Sequence, residues 1–498
     1  MTGGLEEKAA VPQQGDQPGA EQGELTAPAA TGTQRAQGTP AAGPASPSDA
    51  ARPSDTAARS APAGTPAPAP VRASGWRRWV MDTRPLRHPA FRRLWSSTTV
   101  TAVGSQLTAV AVPKQVYDLT HSSAWVGYAS FAGLVPLIVF GLWGGAIADS
   151  VDRRTLLLVT NAGLALTSVL FWVQAAAHLG SVLVLIVLLA VQQACFGVNS
   201  PTRGAAIARL VPAAELPAAN ALGSTVMQTG MVLGPLLAGA LIPVLGLPVL
   251  YLLDALALCS ALWAVWRLPA LPPLGEPPGP GTSAAAGTSA AAGRRRAGPR
   301  EVAAGFRYIA AHSVLLLSFL ADIVAMVLGM PRALFPQLAA TTYAPSGEGL
   351  ALGLLFAAIP VGAVAGGLLS GTFSRARRHG LMVIGAVVAW GAAITGFGLS
   401  SSLWWGAGFL AAAGVADMVS MVFRGAILQS VATDAMRGRM QGVFTVVVAG
   451  GPRLADLLHG TAGSAFGTRA AVTGGGLLVV VVMLALAAAV PALRRYRI

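Results

Sequence analysis

Residues 471–491 read AVTGGGLLVVVVMLALAAAVP, a run of 21 residues that contains no charged side chain. An α-helix of about 20 apolar residues crosses the roughly 30 Å hydrocarbon core of a bilayer. Of the 498 residues in the chain, 54% are apolar and 11% are charged, whereas ordinary soluble domains carry about 25% charged residues. The composition therefore predicts an all-α membrane protein and argues against a set of soluble domains.

Further apolar runs of similar length flank this one, and together they predict twelve transmembrane helices in two six-helix bundles. The predicted spans are 96–117, 125–148, 155–178, 181–200, 219–244, 247–266, 313–336, 349–370, 381–400, 403–423, 440–462 and 471–491. The seventh span is interrupted by Pro331 and Arg332, and the eleventh contains Pro452.

Two stretches rich in Ala, Pro and Gly contain too few large apolar residues to offset the entropy of ordering them, and we expect both to be disordered. The expected domains are a disordered tail over 1–75, a six-helix bundle over 85–268, a disordered cytoplasmic linker over 269–299 and a second six-helix bundle over 300–498. The segment PLRHPAFRRLW at 85–95 is expected to form an amphipathic helix on the cytoplasmic surface, at the start of the first bundle.

The placement of arginine predicts the orientation, because cytoplasmic loops of membrane proteins carry the excess of basic residues. Arginines lie in both tails, in the linker and in alternate loops, for example Arg153, Arg203 and Arg375. Both termini are therefore expected in the cytoplasm. The net charge of +14 marks the cytoplasmic face and does not indicate a nucleic-acid surface, because the arginines are dispersed between spans.

Several kinds of chemistry are excluded by what the chain lacks. Its two lysines, Lys8 and Lys114, precede Ala and Gln, so there is no Gly-Lys-Ser or Gly-Lys-Thr phosphate loop. Cys195 and Cys259 both lie in predicted spans, and the six histidines show no metal-ligand spacing. We expect neither a metal site nor an enzyme.

The two halves repeat weakly. RGAAIARLVPAAELPAANALG at 203–223 aligns with RGAILQSVATDAMRGRMQGVF at 424–444, and each follows the predicted fourth span of its half. A duplicated six-span unit is typical of a transporter whose two bundles open alternately to either side of the membrane.

The loop between the second and third predicted spans reads GAIADSVDRR, residues 145–154. A glycine at the end of a span permits close helix contact, an acid can face a neighbouring helix N-terminus, and arginines can pair with acids or lipid phosphates. A turn with cytoplasmic arginines is the simpler interpretation. The spacing Gly-x-x-x-Asp-x-x-x-Arg-Arg nevertheless resembles the loop 2–3 motif of the major facilitator superfamily.

The resemblance implies a conformational role for this loop, as a latch between the halves rather than a substrate site. The residues that carry the motif are Gly145, Asp149, Asp152, Arg153 and Arg154. Asp152 stands where many members have glycine, and in this respect the sequence resembles the branch of enterobactin exporters and macrolide-efflux proteins.

The predicted fifth span contains GMVLGPLLAG at 230–239. Its glycines allow another helix to approach closely, and its proline frees a backbone carbonyl and bends the helix. The motif consists of Gly230, Gly234, Pro235 and Gly239. It is similar to the Gly-Pro motif of proton-coupled exporters in the same superfamily. The resemblance implies export driven by a proton gradient without any bound cofactor.

Charged residues inside spans cost several kcal/mol unless they are paired or hydrated. Asp322 lies nine residues into the seventh span, about 13 Å from its cytoplasmic end. Asp417 and Arg424 are seven residues apart in the tenth span and share a helix face. In the superfamily that the chain resembles, these spans line the central cavity. We therefore predict Asp322 and Asp417 as proton-coupling residues, and a structural pair of Asp417 with Arg424 is the alternative.

The remaining intramembrane charges have other expected roles. Lys114 is expected near the outer end of the first span, either reaching the interface or facing the cavity, where it would favour an anionic substrate. Arg332 is a further cavity candidate. Asp254 is expected to support the fold, and Arg453 and Asp456, at i and i+3, are expected to neutralise one another.

The sequence thus predicts an inner-membrane secondary transporter that exports a small amphipathic molecule, such as a drug or a siderophore-like compound, by proton antiport. The alternatives are an importer or lysolipid flippase of the same fold, and a non-transporting membrane sensor or scaffold. The expected partners are the lipid bilayer and a small-molecule substrate, without nucleic acid, and the protein is expected to act as a monomer.

Overall fold

The fold is taken from a computed structural model that describes residues 81–272, 299–373, 375–431 and 434–496. The predicted tail over 1–75 and most of the predicted linker over 269–299 lie outside these residues. The described part of the chain contains helices and short connections but no strand. The expected all-α membrane fold is therefore confirmed.

The first half begins with a short 3-10 turn and continues through six helical elements. These are α1 (Pro89–Thr120), α2 (Ser123–Ala132), α3 (Leu134–Ser150), α4 (Arg153–Ala176), α5 (Val182–Leu210) and α6 (Leu216–Trp266).

The second half contains both long helices and short helical pieces. These are α7 (Pro299–Ala311), α8 (Ser313–Gly329), α9 (Phe335–Ala340), α10 (Glu348–Leu368), α11 (Ser370–Phe373), α12 (His379–Leu399), α13 (Leu403–Val431), α14 (Asp434–Phe466), α15 (Thr468–Ala489) and α16 (Pro491–Arg495).

Among the described residues, nine helical segments are long and apolar enough to cross a bilayer. One of them, Ala213–Trp266, covers both the fifth and the sixth predicted spans. The helices α1 and α14 are 32 and 33 residues long and overlap the first and eleventh predicted spans, but they are not among the nine. The count of twelve crossings and the cytoplasmic termini stay predictions.

Helix α6 is sharply bent at Gly246, where φ is 73° and ψ is 171°. Only glycine adopts these angles without strain, because any side chain would collide with its own backbone. The fifth and sixth predicted spans therefore follow one another without a separate loop.

Further positive φ angles occur at His121, Gly347 and Gly467, each beside a helix end. Together with Gly246 they mark one end of the helix bundle, which we call the tight-turn face. The opposite end holds the starts of α4 and α12, next to Arg153 and Arg378. In the predicted orientation, the tight-turn face is the outer face.

The structure corrects three expectations about the segments that flank the spans. Residues 85–95 do not form a separate surface helix, since Pro89 begins α1 and both Phe91 and Leu94 are buried. The start of the expected linker is packed on the first half, with Leu271 buried. Helix α7 precedes the seventh span as an additional helix, and its residue Tyr308 donates a hydrogen bond to the carbonyl of Val431.

The seventh span is broken as its sequence suggests. Helix α8 ends at Gly329, Pro331 precedes a 3-10 turn over Arg332–Leu334, and α9 follows. Proline lacks the N–H that would continue the helix. Helix α14, by contrast, continues through Pro452 without interruption.

Each half forms a bundle of its own, and two helix pairs make most of the contact between the bundles. In the first half α6 packs on α1 and α4, and in the second half α13 packs on α10 and α12. The halves meet where α6 packs on α10 and where α2 packs on α14.

Glycines bring the two halves into backbone contact near the tight-turn face. A Cβ atom at Gly239 of α6 would lie 2.7 Å from the Cα atom of Gly353 in α10. A Cβ atom at Gly460 of α14 would lie 3.1 Å from the Cα atom of Gly127 in α2. Close approach of this kind supplies van der Waals contact between helices, which is the main source of helix association in lipid.

We predict that Gly239→Ala destabilises this closed arrangement, because the added methyl group overlaps backbone atoms of α10. Overpacking of a tight contact costs about 1–3 kcal/mol, so the midpoint of thermal unfolding of the purified protein should fall. Gly408→Ala is the matched control, since a Cβ atom there has nothing within 4 Å. An unfolding midpoint that stays at the wild-type value for Gly239→Ala would show that the halves do not meet at this point.

Candidate functional site

Two acids and one arginine form an ion cluster inside the second half, which we call the acid–arginine triad. Arg424 of α13 pairs through Nη1 with the carboxylate of Asp322 on α8. Its Nη2 atom lies 3.8 Å from Oδ1 of Asp417, two turns earlier on the same helix. The structure thus brings together Asp322, Asp417 and Arg424, whereas Arg332, the other candidate in the seventh span, lies elsewhere.

The members of the triad differ in their access to solvent. The side chains of Asp322 and Arg424 are 3% and 10% exposed, whereas that of Asp417 is 38% exposed. Two carboxylates share one guanidinium, so the triad carries one net negative charge when both acids are ionised. Asp417 is thus the less buried of the two acids, and its protonation would leave the pair of Asp322 and Arg424 in place.

The pairing of Asp417 with Arg424 follows from their spacing, but the partnership of Arg424 with Asp322 does not. The two residues are separated by about a hundred positions in the chain and meet only because α8 packs against α13. A weak signal exists in the sequence, since a lone intramembrane arginine needs an acid within reach.

A second polar group, which we call the junction cluster, lies between the halves and consists of Ser130, Gln193, Arg332, Arg453 and Asp456. Arg332 donates from Nη2 to Oδ2 of Asp456 at 2.9 Å. The Ser130 hydroxyl donates to the same Oδ2 atom at 2.6 Å. Arg453 donates to the carbonyl oxygen of Ser130 at 3.2 Å and to Oε1 of Gln193 at 2.8 Å.

The junction cluster changes the expected partners of two residues. Arg453 and Asp456 do not bond to each other within it: the acid takes Arg332 and Ser130, and the arginine takes groups on α2 and α5 of the first half. Their spacing of three residues allows contact on an isolated helix. Partners on neighbouring helices prevail here because they also satisfy polar groups in the contact between the halves.

Lys114 lies near the tight-turn end of α1, and it pairs with two acids. Its side chain is 9% exposed, pairs with Asp118 one turn further along α1, and lies 2.9 Å from Oε1 of Glu348 at the start of α10. Lys114 and Glu348 line a crevice of about 480 Å³ between α6 and α10. Two acids offset the one positive charge, which removes the reason to expect an anion beside Lys114.

Asp254 occupies a structural position in the first half, and its side chain is almost completely buried. Its Oδ2 atom accepts hydrogen bonds from the hydroxyl of Thr108 at 2.7 Å and from that of Ser168 at 2.8 Å. The carboxyl group thereby joins α6 to α1 and α4. This arrangement agrees with the fold role expected from the sequence.

The loop motif anchors the start of α4 to the end of α6. Asp152 is the N-cap of α4, and its Oδ1 atom accepts from the backbone N–H of Arg154 at 2.7 Å. Its Oδ2 atom accepts from the N–H of Leu271 at 3.2 Å, and Arg154 donates to the carbonyl of Trp266 at 2.6 Å. Arg153 is buried, and its N–H donates to the carbonyl of Leu271 at 3.1 Å. The surroundings of Gly145 and the side chain of Asp149 lie outside what the structure describes.

The capping role of Asp152 is a function that the sequence interpretation missed. An acid directly before the first turn of a predicted helix is an N-cap signal. The family resemblance alone assigns Asp152 to the loop motif and does not indicate this capping role.

The motif of the fifth span packs as its composition predicts. A Cβ atom at Gly230 would lie 2.9 Å from the carbonyl oxygen of Ala102, and one at Gly234 would overlap Gln106 on α1. Pro235 is buried, and Gly239 contacts α10. The motif therefore holds α6 against α1 within its own half and against α10 in the other half.

Comparison with known proteins agrees with this architecture. The protein family described as transmembrane secretion effector matches residues 81–496. The enterobactin exporter EntS of Shigella boydii serotype 18 is 30% identical over 423 residues, which cover 84% of this chain and 96% of the relative. The EntS protein of Citrobacter koseri is 29% identical over 390 residues, covering 78% of this chain and 88% of the relative.

Solved transporter structures share the fold at low identity. The nucleoside transporter NupG gives a TM-score of 0.62 at 13% identity and covers 82% of this chain and 100% of its own. A bacterial homologue of the human lysosomal transporter Spinster gives a TM-score of 0.62 at 15% identity, covering 83% of this chain and 100% of its own.

These matches define a multi-pass transporter of the inner membrane with the major facilitator fold, which is not an enzyme. The chain belongs to the transmembrane secretion effector family and, within the superfamily, to the branch of the enterobactin exporters.

We predict that Asp152→Ala destabilises the first half by about 1 kcal/mol, the usual cost of losing an N-cap. Asp152→Asn is the matched variant, because asparagine caps a helix nearly as well. The midpoint of thermal unfolding should therefore fall for alanine and stay near the wild-type value for asparagine. Equal losses for both variants would mean that the charge of Asp152, or the second oxygen that accepts from the N–H of Leu271, matters more than the capping oxygen.

Proposed function

We propose that this transporter exports small amphipathic molecules, drug-like or siderophore-like, in exchange for protons by alternating access. The observation that carries the proposal is the acid–arginine triad. Two carboxylates compete for one guanidinium in a segment that crosses the hydrocarbon, where an unpaired charge costs several kcal/mol. Binding of one proton to either acid leaves a neutral ion pair and a neutral carboxylic acid.

Protonation of Asp417 changes the ion pair that joins α8 to α13. Asp417 is less buried than Asp322, which pairs with Arg424. When Asp417 holds a proton, Arg424 is left with Asp322 alone. When the proton leaves, the carboxylate of Asp417, on the same helix as Arg424, competes with Asp322 for the guanidinium and repels this acid, which loosens the contact between α8 and α13.

Helix α8 supplies a path from the triad to the contact between the halves. Asp322 and Arg332 are ten residues apart, on either side of the break at Pro331. Arg332 bonds to Asp456, which the first half holds through Ser130. A shift of α8 that follows protonation would therefore change the hydrogen bonds that join the halves.

Export, rather than import, is supported by two observations. The relatives in the same branch are named enterobactin exporters. The fifth span carries the Gly-Pro motif that resembles those of proton-coupled exporters.

The test is transport by the purified protein in liposomes, with a panel of amphipathic dyes and an imposed proton gradient. We expect the wild type to move dye against the proton flow. Asp322→Asn and Asp417→Asn should each reduce gradient-driven transport at least about tenfold, since an amide binds no proton, while dye exchange without a gradient continues. Asp82→Asn, an exposed acid outside the spans, is the control.

Each contrary result rejects a different part of the proposal. Gradient-driven transport that survives in both variants would remove the triad from proton coupling. Dye movement in the same direction as the protons would indicate an importer. The wild type could also move neither dye nor any metabolite that accumulates in cells without this protein. That result would favour a sensor or scaffold.

A further inference from the structure

The junction cluster has an uneven charge that the proton-coupling scheme does not use. It contains two guanidinium groups, those of Arg332 and Arg453, and one carboxylate, that of Asp456. Within the described residues, no second carboxylate pairs with either arginine. The cluster therefore carries one net positive charge at the contact between two helix bundles.

The two arginines converge on one residue of the first half. Arg453 donates to the Ser130 carbonyl, and the Ser130 hydroxyl donates to the carboxylate that Arg332 holds. Both guanidinium groups thus lie close to Ser130: that of Arg453 bonds to its carbonyl oxygen, and that of Arg332 bonds to the carboxylate that its hydroxyl contacts. Arginine presents a planar array of donors that suits carboxylates and other oxyanions, so a converging pair is well shaped for an anionic group.

The cluster is accessible and incompletely satisfied. The side chain of Arg332 is 39% exposed although it lies between the bundles, and that of Asp456 is 3% exposed. The second carboxylate oxygen of Asp456, Oδ1, is buried and has no hydrogen-bond partner among the described residues. A buried polar atom without a partner costs about 1–3 kcal/mol, so the carboxylate of Asp456 satisfies neither its own second oxygen nor Arg453, and it holds Arg332 through one oxygen only.

The cluster lies too far from the end of the helix bundle to contact the head groups of lipids. Ser130 is the eighth residue of α2, about 10 Å from the tight-turn end, and Gln193 is the twelfth residue of α5, about 17 Å from that end. Phosphates of bilayer lipids lie outside the hydrocarbon core. An anion at this depth must arrive as part of a molecule that enters between the helices.

We propose that the junction cluster is the binding site for an anionic group of the cargo, such as a carboxylate. This inference rests on the proposed export function and narrows the cargo to amphipathic anions. The anion binds Arg332 and Arg453 in place of Asp456 and of the acceptors on the first half. Cargo binding thereby weakens the bonds that join α14 to α2 and α5 and favours separation of the halves.

The test compares two dyes with the same xanthene frame and opposite charge, anionic fluorescein and rhodamine 123, a cation whose carboxyl group is blocked as a methyl ester. Their dissociation constants are measured by fluorescence anisotropy on the purified full-length protein in detergent, without a proton gradient. We expect fluorescein to bind more tightly than rhodamine 123. Arg332→Gln should weaken fluorescein binding at least about tenfold, the scale of one lost charge-assisted hydrogen bond, and leave rhodamine binding unchanged.

Two further variants separate an anion site from a purely structural cluster. Asp456→Asn keeps a hydrogen-bond acceptor but removes the competing charge, so fluorescein should bind several-fold more tightly. A structural role predicts the opposite, because every change in the cluster would then weaken binding. Arg469→Gln is the matched control, since Arg469 is an exposed arginine whose side chain contacts only the carbonyl of Leu399, and fluorescein binding should stay within about twofold of wild type.

The proposal is overturned if the wild type binds the two dyes equally or binds neither, or if Arg332→Gln leaves the preference for fluorescein intact. Arg332→Lys is used if the glutamine variant fails to fold. It keeps the positive charge but loses the planar array of hydrogen-bond donors, so it should weaken fluorescein binding by a smaller factor. Because no gradient is involved, these results are independent of proton coupling. Gradient-driven transport with no preference for anions would reject this site and leave the exporter standing.

Discussion

A charge placed in hydrocarbon must find a partner, and this constraint organises the polar interior of the protein. An unpaired ionised side chain in a span costs several kcal/mol. The described part of the chain meets the constraint in three groups: Asp322, Asp417 and Arg424 in the second half, the junction cluster between the halves, and Lys114 with its two acids. A further buried acid, Asp254, is held by two hydroxyl groups instead.

The same constraint bears on how the halves can separate. Lys114 contacts Glu348 across the interface between the halves, but it also pairs with Asp118 on its own helix. Asp456 accepts from Ser130 of the first half, but it keeps Arg332 within the second half. These two groups thus keep a charged partner when the halves separate, whereas Arg453, which bonds to Ser130 and Gln193 of the first half, needs a new partner. The backbone contacts at Gly239 and Gly353 add close packing that separates without leaving a polar group unsatisfied.

Much of this architecture could be predicted from the sequence, because the requirement for long apolar helices is local. Apolar run length located the helices, and Pro331 located the break in the seventh span. Spacing along one helix also placed Asp417 beside Arg424. Contacts between distant helices were not accessible in this way: the pairing of Arg424 with Asp322 depends on how α8 packs against α13. For the same reason the expected pair of Arg453 and Asp456 was replaced by partners on other helices.

The boundaries of the first half show a second limit of the sequence interpretation. Leu271 lies in a stretch whose composition indicates disorder, yet it is buried and bonded to Asp152. A single apolar residue in a Pro-rich stretch can dock where a capping acid leaves an oxygen free. Composition averaged over thirty residues conceals such an anchor, whereas the side-chain hydrogen bonds reveal it.

The central claim is that the protonation of Asp322 and Asp417 controls which side of the transporter is closed. The most direct test is a distance measurement by electron paramagnetic resonance between spin labels at Leu119 and Leu399, which are 38% and 67% exposed at the tight-turn face of the two halves. The labels would be introduced after replacement of the two native cysteines. The account predicts a distance distribution that changes with pH in the wild type and is independent of pH in the Asp322→Asn, Asp417→Asn double variant. An equal pH response in both proteins would contradict it.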